Sequence, residues 1–222
     1  MSELIRLHEF NNIFKDLGKD DVVAILTHPS PDPDCLGAAL GMSALLQIHY
    51  GLSSKIYHKG EVSHPQNKCM KNVLRIHLNY ASDFDYKNHK VIIVLDANLE
   101  RTGLKTEQFN KASICIDHHE SNHDDCFDYA DVRINGSTCS IIWEYLKAHN
   151  IDLGGYPDVA TAMVLGIKID TLDFTSPDTS ELDMEAFRAL LPHANKESLA
   201  KVTWYDLPKI MFEMEIKAFE KK

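Results

Sequence analysis

The chain contains 222 residues, 44% of them hydrophobic, which suffices for one large or two small packed domains. Acidic residues outnumber basic ones by 33 to 23, and the formal net charge of -10 argues against a broad basic surface for duplex nucleic acid. The five cysteines indicate neither a zinc ribbon nor a disulfide framework, and no apolar run suits a signal core or a membrane span. We therefore expect a soluble, cytoplasmic protein.

The first 50 residues predict a helix, a strand, an irregular loop and a second helix. Apolar residues at helical spacing between Leu4 and Leu17 predict an amphipathic opening helix. The apolar run at 22–27 predicts a buried strand. Three prolines make residues 28–34 irregular, and a helix with several small residues, suited to close packing on a sheet, should follow at 35–50.

The middle of the chain predicts further strands. A short strand is expected at 55–58, a helix at 65–76, and the clearest strand of the chain at 91–95. Another strand is expected at 112–116, and residues 126–129 indicate an edge strand.

The last third predicts helices, at 136–148, 158–168, 182–191, 196–202 and after Pro208. Strands and helices alternate at βα spacing before it. The predicted fold is therefore α/β, with a doubly wound, mainly parallel sheet of about five strands, helices on both faces and extra C-terminal helices.

Acidic and imidazole side chains recur where the predicted strands end, and once more near the end of a helix. They are His28, Asp32 and Asp34; Asp96; Asp117, His118 and His119; and Asp170. Because the carboxyl ends of parallel strands meet at one edge of a sheet, we expect these side chains to gather there. Imidazole and carboxylate without thiolate suit Mn²⁺, Co²⁺ or Mg²⁺ better than a structural zinc, and repulsion among so many acids favours bound cations.

Four motifs in order resemble those of the DHH phosphoesterase superfamily, over roughly residues 20 to 195. They are HPSPDPD at 28–34, LDAN at 95–98, DHH at 117–119 and GIKIDT at 166–171. That superfamily includes RecJ-type exonucleases, oligoribonuclease and pAp phosphatases, cyclic-dinucleotide phosphodiesterases and family II inorganic pyrophosphatases. The resemblance implies two divalent cations, Mn²⁺ first, with Mg²⁺ or Co²⁺ as alternatives.

The resemblance also implies a role for each motif residue. One ion would be held by His28, Asp32 and Asp96, and the other by Asp34, Asp96, His118 and Asp170. His119 would contact the scissile phosphate or protonate the leaving group, and Asp117 would orient a histidine ring. Arg101 stands where relatives also carry a basic residue, with a solvated surface arginine as the alternative. Ser137 and Thr138 are either helix caps or substrate contacts.

The implied function is hydrolysis of small phosphorylated nucleotides by a hydroxide that two metal ions activate. Short single-stranded oligonucleotides, pAp and linear or cyclic dinucleotides are the expected substrates, and duplex DNA and membranes are not expected partners. The alternatives are an inorganic pyrophosphatase or polyphosphatase, and a non-hydrolysing regulatory module that binds metal and nucleotide.

The resemblance further implies a division of the chain. Members of the superfamily usually carry a C-terminal cap domain with a Gly-rich motif, but no glycine follows Gly166. We therefore expect a catalytic domain at 1–195 without the cap, followed by a helical segment at 196–222. The apolar stripe of the last helix favours a homodimer as an alternative to a linker.

Overall fold

The protein is built on one sheet of six parallel strands. The computed structural model describes residues 6–120 and 126–207, together with residues 209, 213, 214, 216 and 217. The strands are β1 (Val22–Leu26), β2 (Ser53–His58), β3 (Asn79–Tyr80), β4 (Ile92–Leu95), β5 (Ala112–Asp117) and β6 (Phe127–Val132). They lie in the order β3-β2-β1-β4-β5-β6, and every neighbouring pair is parallel.

Seven α-helices accompany the sheet in the described part of the chain. They are α1 (Leu7–Ile13), α2 (Pro33–Leu45), α3 (Pro65–Val73), α4 (Thr138–Ala148), α5 (Pro157–Asp170), α6 (Glu181–Leu190) and α7 (Lys196–Thr203). A π-helical turn, Leu46–Tyr50, continues α2. The helical segment therefore ends at residue 50, as the sequence predicts.

The predicted α/β class with a parallel sheet is confirmed, with two corrections in detail. The sheet has six strands rather than about five, because Asn79 and Tyr80 add a strand too short to show a periodic pattern. The edge strand β6 continues to Val132, three residues beyond the predicted end at Tyr129. Predicted helix residues before position 6 lie outside the described residues.

The two faces of the sheet are covered differently. Alternate strand residues such as Ile25 and Ile93 pack against α2, α4 and α5 in the larger core. The opposite residues, such as Leu26 and Val94, pack against Phe109 and other side chains from the loops and short 3-10 turns between β3 and β5. This alternation follows from the two-residue period of a strand.

Helices α2 and α5 approach each other closely at two glycines. A Cβ at Gly37 would lie 2.7 Å from the carbonyl oxygen of Ala162, and one at Gly166 would lie 2.9 Å from the Cα of Asp34. The expectation that the small residues of α2 pack on the sheet was therefore wrong for Gly37, which faces α4 and α5. The close crossing brings the start of α2 against the end of α5.

Within the described residues, no helix is both long and apolar enough to cross a membrane. The helix expected after Pro208 lies largely outside the described residues. Met214 and Ile216, which are described, are exposed, and the homodimer through this helix stays a prediction.

Candidate metal centre

The candidate site lies where the strand order reverses between β1 and β4. Chain connections leave in opposite directions at such a point, and the carboxyl ends of the two strands border a crevice. His28 follows β1, Asp96 follows β4 and His118 follows β5, so the three side chains meet at this edge.

Asp96 stands at the centre of the site and is almost fully buried. Its Oδ2 lies 3.4 Å from Nε2 of His28, and its Oδ1 lies 3.3 Å from Nε2 of His118. The hydroxyl of Thr138 donates to Oδ1 at 3.0 Å and fixes the carboxylate. The backbone of Asp96 has a positive φ of 57°, a strained conformation of the kind that clusters at functional sites.

His118 faces three carboxylates through one ring nitrogen. Its Nε2 lies 3.1 Å from Oδ2 of Asp170 and 4.0 Å from Oδ2 of Asp34, yet this buried atom makes no hydrogen bond within the described structure. The other nitrogen, Nδ1, lies 2.8 Å from the carbonyl oxygen of Asn135, which can only accept a hydrogen bond. Nδ1 therefore donates a hydrogen bond to this carbonyl, and Nε2 is the ring nitrogen that faces the carboxylates and would be left to bind a metal.

Asp34 and Asp170 reach His118 from two helices. Asp34 lies in the first turn of α2 and is fully buried, and it accepts from the backbone N–H groups of Thr138 at 2.7 Å and Cys139 at 2.9 Å. These N–H groups begin α4, whose positive end stabilises the carboxylate. Asp170 is the last residue of α5 and is positioned by the crossing with α2.

His119 lies at the open edge of the cluster. Its side chain is 42% exposed, and its Nδ1 lies 2.8 Å from Oδ1 of the buried Asp117. The same oxygen accepts from the backbone N–H of His119 at 3.1 Å. Nδ1 of His119 also lies 3.7 Å from Oδ1 of Asp96, and the predicted role of Asp117 as an orienting group stays a prediction.

The remaining predicted residues differ in their surroundings. Asp32 has its Oδ2 3.6 Å from His28, while its Oδ1 caps α2 by accepting from the N–H of Cys35. Ser137 is fully buried, caps α4 and donates to Asp183. Arg101 is exposed in the turn after β4. The catalytic role of Arg101 and the substrate-binding roles of Ser137 and Thr138 stay predictions.

Sequence reasoning missed three residues of this site. Cys35 places its thiol beside His28 and Asp96. Asn135 offers a backbone carbonyl, which no side-chain pattern reveals, and Asp183 holds the Asn135 loop from α6. The sequence that follows Ser180 fits a capping box and could have pointed to Asp183 as a helix residue, though not to its contact with the loop.

The charged groups shift one another's pKa values. Burial lowers the pKa of His118, but the carboxylates of Asp170, Asp96 and Asp34 outweigh burial and raise it to about 12. Burial likewise lowers the pKa of His28, and the neighbouring thiol and carboxylates raise it above its ordinary value. Burial and nearby carboxylates raise the pKa of Asp34 well above its usual range.

The donors fit divalent cations. Among the described residues, three groups have ligand atoms within 4.8 Å of one another: His28, Cys35 and Asp96; Asp96, His118 and His119; and Asp34, His118 and Asp170. Imidazole and carboxylate donors suit borderline and hard divalent ions. Nε2 of His118 faces three carboxylates, so His118 and these carboxylates could together hold a cation.

A comparison with models of protein families shows the family of the chain. Residues 22–167 match the model of the DHH family, N-terminal domain. The chain belongs to the DHH family. The predicted resemblance to the DHH superfamily is thereby confirmed.

Proteins with different names are similar in sequence to this DHH chain. An uncharacterized protein of Methanocaldococcus jannaschii is 39% identical over 73% of the chain and 33% of its own length. A probable manganese-dependent inorganic pyrophosphatase of Lactobacillus delbrueckii is 26% identical over 86% of the chain and 58% of its own length. A probable bifunctional oligoribonuclease and PAP phosphatase of Streptococcus mutans is 27% identical over 77% of the chain and 52% of its own length.

The fold of the DHH chain also matches a solved structure. The crystal structure of an exopolyphosphatase-related protein from Bacteroides fragilis superposes with a TM-score of 0.71 at 19% identity, covering 94% of this chain and 64% of that one. This likeness supports the fold. The chain spans from one third to under two thirds of the length of the proteins named here.

Metal binding by the DHH chain should release protons. His118, with its pKa of about 12, holds a proton at neutral pH, and so does His28, whereas imidazole must be neutral to bind a metal. Affinity for Mn²⁺ should therefore rise as pH increases through the neutral range. Calorimetry in two buffers of different ionisation enthalpy measures the release, and a binding enthalpy independent of the buffer would contradict it.

Proposed function

We propose that the chain is a divalent-metal-dependent phosphoesterase that hydrolyses small phosphorylated nucleotides, with residues 1–195 as its catalytic domain. The observation that carries this proposal is the sharing of Asp96 between two donor groups, one with His28 and one with His118. Each group would hold a cation, and a pair of cations at one site would stabilise the attacking and leaving oxygens of a phosphoester hydrolysis.

The expectation of a divalent-metal cofactor is confirmed by the donor groups and by relatives whose names state manganese dependence. One ion would be held by His28, Asp32 and Asp96. The other would be held by Asp34, Asp96, His118 and Asp170. When bound, the ions would supply Lewis-acid stabilisation of charge on the phosphoryl oxygens and would make the attacking water more acidic.

The protein's own residues would prepare the reaction around these ions. Thr138 fixes Asp96, and the Asn135 carbonyl holds the His118 ring so that the same nitrogen always faces the carboxylates. Asp117 accepts from Nδ1 of His119 and leaves its Nε2 to contact a phosphate or donate a proton to the leaving oxygen.

The overall charge supports small substrates. A long nucleic acid would require many basic contacts, whereas the chain has a formal net charge of -10. The relative from Streptococcus mutans, named as an oligoribonuclease and PAP phosphatase, supports nucleotides. Inorganic pyrophosphate is the second candidate substrate, because several relatives are named as manganese-dependent inorganic pyrophosphatases.

A substrate panel tests the proposal. The purified chain with Mn²⁺ should be offered pAp, a dinucleotide, cyclic di-AMP, pyrophosphate and a chromogenic phosphodiester, each beside an Asp96→Ala variant. We expect turnover of a nucleotide that the variant lacks. Fastest turnover of pyrophosphate would favour the second candidate, and binding of nucleotide without any turnover would favour a regulatory module.

The two adjacent histidines should behave differently when replaced. His118→Ala should weaken Mn²⁺ binding by more than about tenfold, because it removes a ligand that faces three carboxylates. His119→Ala should leave Mn²⁺ affinity within about threefold and lower kcat by about 100-fold, the usual contribution of a proton donor. Metal titration and steady-state kinetics separate the two effects, and equal Mn²⁺ occupancy in wild type and His118→Ala would refute this division.

A further inference from the structure

A buried thiol lies inside the metal centre. Cys35 occupies the first turn of α2 and is fully buried. Its Sγ, a ring nitrogen of His28 and a carboxylate oxygen of Asp96 all lie within 4.8 Å of one another. The Sγ of Cys35 also lies 3.8 Å from the carbonyl oxygen of Leu95, which is a long and weak hydrogen bond.

The carboxylate expected as the third donor at this position, Asp32, approaches His28 through one oxygen only, with its Oδ2 3.6 Å from Nε2. One oxygen of Asp32 caps α2, and its side chain is 41% exposed. Asp32 belongs to none of the three donor groups among the described residues, whereas Cys35 does. The N-cap hydrogen bond runs from the N–H of Cys35 to Asp32, so the turn that occupies the carboxylate also fixes the backbone that carries the thiol.

We propose that Cys35 is a sulfur ligand of the ion held by His28 and Asp96, which makes this one position selective for thiophilic divalent metals. Sulfur favours Zn²⁺ and Co²⁺ over Mn²⁺ and Mg²⁺. The position around His118, Asp34 and Asp170 has only nitrogen and oxygen donors and remains suited to harder ions. The centre is therefore chemically asymmetric.

Binding of the metal ion by Cys35 changes no oxidation state and needs no oxidant or reductant. The sulfur–metal bond forms as the S–H bond breaks, and the proton leaves to solvent. The inference rests on the metal centre of the proposed function and not on hydrolysis, so metal binding tests it without a substrate.

Cys139 supplies a matched control. It is also fully buried and also lies beside the site, with its Sγ 3.3 Å from the carbonyl oxygen of Asp34. Its thiol belongs to none of the donor groups among the described residues. Replacing Cys139 by alanine therefore removes a buried thiol of the same kind without removing a proposed ligand.

Cobalt spectroscopy tests the proposal. Co²⁺ should be titrated into the wild type, Cys35→Ser and Cys139→Ala, and the near-ultraviolet absorption of sulfur-to-cobalt charge transfer recorded with the visible bands. We expect charge transfer in the wild type and Cys139→Ala, and its loss in Cys35→Ser with visible bands retained. The preference for Zn²⁺ over Mn²⁺ should fall by about tenfold or more in Cys35→Ser.

Other outcomes are equally decisive. Charge transfer that persists in Cys35→Ser, or wild-type protein that binds Co²⁺ without it, overturns the sulfur ligand and leaves the metal centre standing. A chain that takes up no divalent metal overturns both. If Cys35→Ser does not fold, cadmium NMR of the wild type replaces it, since a sulfur ligand shifts the resonance strongly downfield and a nitrogen and oxygen set does not.

Discussion

Replacing Asp96 by alanine should lower turnover of whichever substrate the chain hydrolyses by more than about 100-fold, because changes in outer partners of a metal site alone cost about 10- to 100-fold. Asp96 faces His28 through one oxygen and His118 through the other. The change therefore removes a ligand from both proposed ions. Initial rates with saturating Mn²⁺ measure the effect.

Two further variants sharpen the Asp96 test. Asp96→Asn keeps the shape of the side chain and an acceptor for Thr138, but lacks the charge, so it should be almost as inactive as alanine. Asp128→Ala removes an exposed carboxylate paired with Lys111 on the sheet edge and should leave turnover unchanged. An Asp96→Asn enzyme with near wild-type activity would show that this carboxylate does not bridge metal ions.

Replacing Asp183 by alanine should lower the free energy of unfolding by at least about 3 kcal/mol. Each hydrogen bond to a charged group contributes about 1.5 to 3 kcal/mol to stability, and this change removes several of them. This fully buried carboxylate accepts from Asn135, from the N–H of Gly136, from the hydroxyl of Ser137 and from the N–H and hydroxyl of Ser180. Urea unfolding measures the loss.

The effect of Asp183 should extend to the metal centre. The Asn135 loop that it holds supplies the carbonyl acceptor of His118, so folded Asp183→Ala protein should bind Mn²⁺ about 10- to 100-fold more weakly. Glu185→Ala, an exposed change on the same helix, is the control and should alter neither property. A stability loss below about 1 kcal/mol would contradict this account.

The site residues at the strand ends were predictable, because each directly follows its strand in the sequence. Apolar runs predict β1, β4 and β5, and the acids and histidines directly after them converge when the strands are parallel. Asp170 was expected near the same edge because it lies near the end of a predicted helix, but its approach to His118 depends on the crossing of α2 and α5 at Gly166, which the sequence pattern does not reveal.

The supporting contacts were not predictable in the same way. The acceptor for His118 is a backbone carbonyl at Asn135, and Asp183 lies 48 residues further along the chain. Cys35 follows Asp32 and Asp34, which drew the interpretation of this motif. Its thiol lies beside the site because of the first turn of α2, which the motif alone does not reveal. Such contacts arise from tertiary packing, which periodicity does not encode.

The number of metal ions per chain tests the central claim most directly. Wild-type protein equilibrated with saturating Mn²⁺, freed of excess ion and analysed by elemental spectrometry, should contain two ions per chain, and Asp96→Ala should contain fewer than one. Fewer than two ions in the wild type, or two in Asp96→Ala, would contradict a dinuclear centre bridged by Asp96.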